Sequence, residues 1–271
     1  MLKKAFKCIL CLLLAVSVIL GAIYIAQRYF AHRDEAFVPD YPKVTLTEES
    51  DYETIFLQTG LGEAAAKKLL AEGNFQAILD AQELFFAPPE ASCLSMLGWF
   101  TREDRLDIPA TPLADLQPGD IVLTLSTHSC GWRHGHAGLV VKENTTLESI
   151  LLGEPSCLQD TAPWNTYTTY AVLRLKDVTT QQQQEVAAFA LEHLVDIPYY
   201  LTSGFGKEKA PDVSAEGFGV QCAYLVWYAW NHFGYDLDSD GGKLVSTYDL
   251  LHSDKVEVVQ LYGLDPREFL P

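Results

Sequence analysis

A histidine at the start of one predicted strand and a cysteine at the start of one predicted helix set the strongest requirement on how this chain folds. His136 opens the run 136–141, which is rich in aliphatic residues and typical of a strand. Cys222 opens the run 222–233, whose apolar residues recur at helical spacing. A thiol becomes a nucleophile at neutral pH when a base lies nearby, and a helix N-terminus stabilises the thiolate. The pair therefore predicts a fold that brings this strand and this helix together.

A third polar residue is expected to orient the histidine ring. Glu148 lies in the next predicted strand, 146–152. A hairpin turn through 143–145 would place Glu148 beside His136. Each of the three residues also has a simpler interpretation: a buried core cysteine, a core histidine bonded to a carbonyl, and an exposed strand carboxylate.

Five short segments in a fixed order carry a resemblance to a known family. They are Pro118-Gly119-Asp120-Ile121-Val122, His136-Ala137-Gly138-Leu139-Val140, Glu148-Ser149, Pro198-Tyr199 and Cys222-Ala223-Tyr224-Leu225-Val226. Over about 116–262 the chain resembles the permuted branch of the NlpC-type papain-like cysteine hydrolases. That branch includes YiiX-like proteins and lecithin-retinol-acyltransferase-like enzymes.

The resemblance implies a fold and a set of roles. The fold would be α+β, a circularly permuted papain-like domain with an antiparallel sheet and packed helices. Cys222 would be the nucleophile, His136 the base and Glu148 the residue that orients it. Tyr199, Gln221 and Ala223 would contact the substrate. The family often has Ser after the nucleophile, whereas this chain has Ala223. This difference argues against classical cell-wall peptide specificity.

The first 33 residues form a separate segment. Nineteen uncharged, mostly apolar residues, 8–26, follow three lysines, and this length is close to what a bilayer crossing requires. The lysines predict a cytoplasmic N-terminus with the rest of the chain outside the cell. We interpret the segment as an uncleaved single-pass signal anchor, with a cleaved signal peptide and a secreted protein as the alternative.

The charge beyond residue 33 excludes one class of partner. Residues 34–271 carry 14 basic and 36 acidic side chains, a net charge of −22. A surface this negative repels phosphate backbones, so nucleic acid is not a predicted partner. The predicted partners are the membrane, through the N-terminal helix, and a cell-wall peptide or another acyl or amide substrate. No cofactor is predicted.

The pattern along the chain predicts four regions. The first is the anchor, 1–33, and a linker follows at 34–46. A small helical N-terminal region is predicted over 47–111, and it carries no motif with chemistry. It would either cover the catalytic domain or space it from the membrane. From 112 to 271, predicted strands and helices alternate and indicate one hydrolase domain.

Two weaker constellations suggest metals, and neither is adopted. The first is a dense His/Cys set that zinc could favour, and the second echoes the start of a calcium loop but lacks its final Glu. The His/Cys set is His128, Cys130, His134 and His136. The calcium-like segment contains Asp236, Asp238, Asp240 and Gly241. An extracellular setting also permits a Cys130–Cys157 disulfide.

These features together predict a membrane-anchored extracellular cysteine hydrolase of bacterial type. It would cleave amide or ester bonds, and cell-wall peptides are the first substrate class that the resemblance implies. An acyl-lipid hydrolase or acyltransferase of the permuted branch is the second hypothesis. A papain-like module that only binds a ligand is the third.

Overall fold

A computed structural model describes residues 2–26, 34–98 and 100–270 of the chain. The helices are α1 (Leu2–Ile25), α2 (Tyr52–Thr59), α3 (Glu63–Ala71), α4 (Phe75–Phe86), α5 (Thr180–His193), α6 (Cys222–Asn231) and α7 (Thr247–Leu251). The strands are β1 (Cys93–Leu97), β2 (Thr101–Arg105), β3 (Ile121–Thr124), β4 (Thr127–Ser129), β5 (Trp132–Arg133), β6 (His136–Lys142), β7 (Thr145–Glu148), β8 (Cys157–Asp160), β9 (Tyr170–Leu175) and β10 (Val256–Tyr262). Short 3₁₀ helices cover Ala162–Thr166 and Pro266–Phe269.

The strands form two antiparallel sheets. The larger has six strands in the order β10-β9-β3-β6-β7-β8, and the smaller has four in the order β1-β2-β4-β5. Strands β6 and β7 occupy the runs 136–141 and 146–152 that the sequence predicts as strands, although β7 ends at Glu148. Helices packed on antiparallel sheets agree with the predicted α+β class. The finer expectation, a permuted papain-like fold, stays a prediction.

Helices cover both faces of the six-stranded sheet. Because successive strand residues point to opposite faces, Ile121 packs into the core that contains α5 and α6, whereas its neighbour Val122 packs into the core that contains α2, α3 and α4. Leu139 and Val140 divide in the same way on β6. Helices α2, α3 and α4 therefore cover the back of the sheet, and α6, which begins at Cys222, lies on the opposite face.

The predicted helical region 47–111 is helical only in its first two thirds. Its last third contains β1 and β2, which pair as a hairpin from Cys93↔Arg105 to Leu97↔Thr101. Strand β2 has the sequence Thr-Arg-Glu-Asp-Arg, whose charges are atypical of strands. These charges are buried through ion pairs, among them Glu103 with Arg105, so hydrophobic periodicity could not reveal the strand.

Local capping interactions fix several helix ends. Thr179 caps α5 in a reciprocal capping box with Gln182. Gly60 ends α2 in the left-handed conformation, with φ of 73°. Gln221 caps α6 by accepting a hydrogen bond from the Ala223 N–H group, which makes Cys222 the first helical residue.

Helix α1 is apolar enough and long enough to cross a membrane by length and composition. The candidate span covers Lys4–Ile25, and an 18-residue window within it has a mean hydropathy of 2.9. A signal sequence has the same properties, so both interpretations of the N-terminal segment are compatible with this helix. The predicted topology stays a prediction.

Candidate active site

His136 occupies the first position of β6, where the strand leaves a tight turn. It pairs with Thr124 of β3 and is 6% exposed. The preceding Gly135 has φ of 72°, and a Cβ atom there would lie 2.5 Å from the Thr124 carbonyl oxygen. A larger residue at 135 would push the two strands apart, so this glycine fixes the position of the imidazole.

Glu148 reaches the histidine across the predicted hairpin. Strands β6 and β7 pair with Gly138 opposite Glu148. The Glu148 Oε2 atom lies 2.7 Å from His136 Nε2. Its other oxygen, Oε1, accepts the Thr146 hydroxyl at 2.5 Å and the Trp164 indole N–H at 3.0 Å. The carboxylate is thus buried with donors on both oxygens.

Cys222 meets the imidazole from the start of α6. Cys222 is near enough to His136 to raise the pKa of its imidazole, and its sulfur lies 3.4 Å from Gln221 Oε1. Because His136 Nε2 faces Glu148, the other ring nitrogen, Nδ1, is left for the thiol. The structure therefore brings the three residues predicted to be catalytic, Cys222, His136 and Glu148, into one cluster.

The charged forms of His136 and Glu148 stabilise each other. Burial by itself would lower the pKa of His136, but hydrogen bonds and charges from Cys222 and Glu148 outweigh it and raise the pKa from 6.5 to about 10. Burial would raise the pKa of Glu148, but its hydrogen bonds and the charge of His136 bring that pKa below 4.5. At neutral pH the site therefore holds an imidazolium–carboxylate pair next to Cys222.

The three residues expected at the substrate differ in placement. Tyr199 is half-buried beside Cys222; burial first, and the charge of Cys222 second, raise the pKa of its hydroxyl. Gln221 is 8% exposed, and its amide nitrogen donates to the Val245 carbonyl at 2.6 Å. Ala223 is 1% exposed, and its backbone N–H group donates a hydrogen bond to Gln221 Oε1. Substrate contact by these residues stays a prediction, to which the burial of Ala223 gives no support.

Two residues of this cluster had no place in the sequence interpretation. Thr146 is in the same strand as Glu148 and shares its face, since the two are two positions apart. Period-two alternation could have found it. Trp164 lies in the 3₁₀ helix Ala162–Thr166, outside the predicted elements. No spacing in the sequence connects it to His136.

The histidines of the weaker zinc constellation point to different partners. His128 Nε2 lies 2.8 Å from Asp34, His134 Nε2 lies 2.9 Å from Ser129, and His136 faces Glu148. Cys130 is exposed. These four side chains do not form one ligand set.

Two other groups of potential ligands converge in the described part of the chain. They are Asp34, Asp104 and His128, and Asp238, Asp240 and Asp249. The second contains two residues of the calcium-like segment, and Asp249 joins them instead of Asp236. Asp238 also pairs with Lys209, which already supplies a positive charge there.

The possible Cys130–Cys157 disulfide is not formed. All six cysteines of the chain are free. Cys130 lies between β4 and β5 in the small sheet, whereas Cys157 begins β8 at the edge of the large sheet. The two positions belong to different sheets.

Comparisons with known proteins give little beyond this geometry. No family model and no curated protein matches the chain. Among solved structures, the chain is similar to the crystal structure of the metalloprotein YiiX from Escherichia coli O157:H7, with 16% sequence identity and a TM-score of 0.37. The match covers 53% of this chain and 96% of YiiX.

Proposed function

We propose that this chain is a thiol hydrolase in which Cys222 is the nucleophile, His136 the base and Glu148 the residue that orients the base. The observation that carries the proposal is the 2.7 Å contact between Glu148 Oε2 and His136 Nε2, on an imidazole whose pKa the neighbouring Cys222 also raises. A nucleophile, a base and a third group that orients the base are the recurring requirement of acyl-transfer sites.

The geometry supports a two-step reaction. His136 holds the proton of the Cys222 thiol, and the sulfur attacks a carbonyl carbon: a C–S bond forms as the C=O π bond breaks and the carbonyl oxygen becomes an oxyanion. His136 then gives its proton to the leaving amine or alcohol, which departs and leaves a thioester on Cys222. Water attacks the thioester while His136 removes its proton, the acid is released, and the thiol is restored.

The oxyanion has a candidate donor in the backbone. Cys222 is the first residue of α6, and the first N–H groups of a helix have no partner within the helix. A donor aimed at the developing charge is a large contribution to catalysis in such sites. The side-chain amide of Gln221 is turned toward Val245 instead, so we assign this role to the Cys222 N–H group.

The proposed substrates are amides or esters in cell-wall peptides. This class follows from the family resemblance, which is an analogy of fold. Helix α1 would hold the site at the outer face of the membrane. The same anchor would also keep it near acyl lipids, which makes an acyl-lipid hydrolase or acyltransferase the second candidate.

The decisive experiment measures the pH dependence of Cys222 alkylation. The full chain in detergent is treated with iodoacetamide from pH 5 to 9, and labelling is read at each cysteine by mass spectrometry. Exposed Cys130 is the internal reference. We expect fast labelling of Cys222 near pH 6 that His136→Ala abolishes.

A different outcome would make the site a binding module. Labelling of Cys222 that begins only near pH 8.5, about where an unperturbed thiol ionises, and that ignores His136→Ala, contradicts the hydrolase. If the thiolate is confirmed, release of amines from wall peptides or of fatty acids from phospholipid vesicles distinguishes the two substrate classes. Cys222→Ser is the control in both assays.

A further inference from the structure

One tryptophan, Trp164, contacts both His136 and Glu148. The Trp164 ring stacks on the His136 imidazole, with ring centroids 5.5 Å apart and planes 7° from parallel. Its indole N–H donates to Glu148 Oε1 at 3.0 Å. The side chain is 2% exposed, so these contacts form away from solvent.

Each contact acts on the pair in a definite way. A cation within about 6 Å of an indole ring is attracted to its face, so the stack favours the imidazolium form of His136. The hydrogen bond to Oε1 holds the carboxylate in the orientation that presents Oε2 to His136. Space for the indole exists because position 138 is glycine, where a Cβ atom would lie 3.3 Å from Trp164.

The support behind Trp164 comes from the N-terminal region. The Tyr167 ring packs against the indole, with ring centroids 5.4 Å apart. Its hydroxyl donates a hydrogen bond to Glu103 Oε1 at 2.6 Å. The Arg105 guanidinium lies 3.4 Å from the Tyr167 ring centroid and binds Glu103 Oε2 through two nitrogens, at 2.6 and 2.9 Å. Arg105 also donates to the Pro163 carbonyl at 2.6 Å. Both charged residues belong to β2.

We propose that Trp164 is a positioning residue for the His136–Glu148 pair, and that Arg105 and Glu103 of β2 hold it in place. The proposal rests on the function proposed for Cys222. It gives strand β2 a part in supporting the candidate site, where the sequence predicted a helical region without chemistry. The line of contact runs from the hairpin through the 3₁₀ helix to the imidazole.

The test is the pH profile of Cys222 alkylation in the full chain. Trp164→Phe keeps an aromatic face but removes the donor, and Trp164→Leu removes both. We expect the labelling rate at pH 6 to fall about tenfold in Trp164→Phe, by analogy with loss of a supporting hydrogen bond at a metal-bound histidine, and further in Trp164→Leu. The rates should converge with wild type above pH 9, where the free thiolate reacts without help.

A matched control separates positioning from general packing. Trp227 is also 2% exposed and donates its indole N–H to a carboxylate, Asp236 Oδ1 at 2.7 Å. Trp227→Phe therefore removes a comparable hydrogen bond from α6, the helix that carries Cys222, and leaves the contacts of Trp164 with His136 and Glu148 in place. We expect its pH profile to match wild type. If Trp164→Phe matches Trp227→Phe, or lowers the rate by one factor at every pH, the positioning role is overturned.

The contribution of the hairpin is tested with Arg105→Lys, which keeps the charge but loses the two-nitrogen contact with Glu103, and with Arg105→Met. We expect the same direction of change as in Trp164→Phe, larger in the Met variant. Wild-type profiles in both overturn the part assigned to β2. An unchanged profile in His136→Ala is a different failure, because it overturns the proposed function and the positioning role together.

Discussion

Each oxygen of the Glu148 carboxylate has its own donors, and this division explains how one buried acid stays ionised. Oε2 faces His136, while Oε1 accepts from Thr146 and Trp164. A buried carboxylate without donors would take up a proton rather than bear the cost of desolvation. Here the donors bring the pKa of Glu148 below 4.5 despite its burial. Glu148 therefore remains a charged partner for the imidazolium across the neutral range.

The shifted pKa values predict how the pair changes stability with pH. The raised pKa of His136, about 10 against 6.5, stabilises the fold fully below pH 6.5, and this contribution is lost as the pH rises toward 10. The lowered pKa of Glu148 stabilises the fold fully above pH 4.5, and this contribution is lost as the pH falls through the folded value. Both contributions are therefore complete between about pH 4.5 and 6.5.

Glu148→Gln removes the charge from this pair and should reveal the window. We expect the difference in unfolding free energy between wild type and Glu148→Gln to be largest between about pH 4.5 and 6.5 and to decrease on both sides. Urea unfolding at a series of pH values measures it. A difference that stays constant from pH 4 to 10 would contradict the ion pair. Glu143→Gln, in the exposed turn of the same hairpin, is the control.

The proximity of three residues of the candidate site could be predicted from sequence, and that of Trp164 could not, for one physical reason. Cys222, His136 and Glu148 are placed by local rules: a helix start, a strand start and a hairpin register. Trp164 reaches the site because a 3₁₀ helix packs beneath β6, and that packing depends on side chains of β2. Periodicity reports which face a residue is on within its own element, but it carries no information on contacts between distant segments.

The β6–β7 hairpin is the element that builds the acid–base pair. Asn144 adopts φ of 53° in its turn, and the register sets Gly138 opposite Glu148. A Cβ atom at 138 would lie 2.9 Å from Glu148 Cγ. That carbon belongs to a side chain held at both oxygens, so it cannot move away freely. Because Gly138 has no side chain, Glu148 can occupy the space beside it.

Gly138→Ala should therefore displace the carboxylate from His136. We expect a loss of about 1–3 kcal/mol in unfolding free energy, typical of overpacking, and a shift of Cys222 alkylation to higher pH. Thermal or urea unfolding and the labelling profile measure the two effects. Gly206→Ala, in an exposed loop, should change neither. A stable Gly138→Ala protein with a wild-type profile would show that Glu148 has room that the structure does not give it.

At the scale of the whole molecule, the six-stranded sheet needs both of its helical layers. Its front face packs against α5 and α6, and its back face packs against α2, α3 and α4. Sequence periodicity predicted most strands of this sheet and the helices on each side. It could not show that 47–111 and 112–271 share a core, because that depends on which strand faces stay uncovered after the second region folds.

A chain that begins at residue 112, the predicted domain boundary, should therefore not fold. Its sheet would expose Val122, Val140, Val172 and Val259, each at most 1% exposed in the full chain. Exposing a buried valine costs about 1.5–3 kcal/mol, so four cost roughly 6–12 kcal/mol, comparable to the whole stability of a typical domain, about 5–15 kcal/mol. The amide spectrum of 112–271 should be poorly dispersed and its urea unfolding non-cooperative, while a chain from residue 34 should unfold in one transition. A well-dispersed spectrum for 112–271 would mean that residues 34–111 are dispensable for folding, and would leave β2 as the contribution of that region to the candidate site.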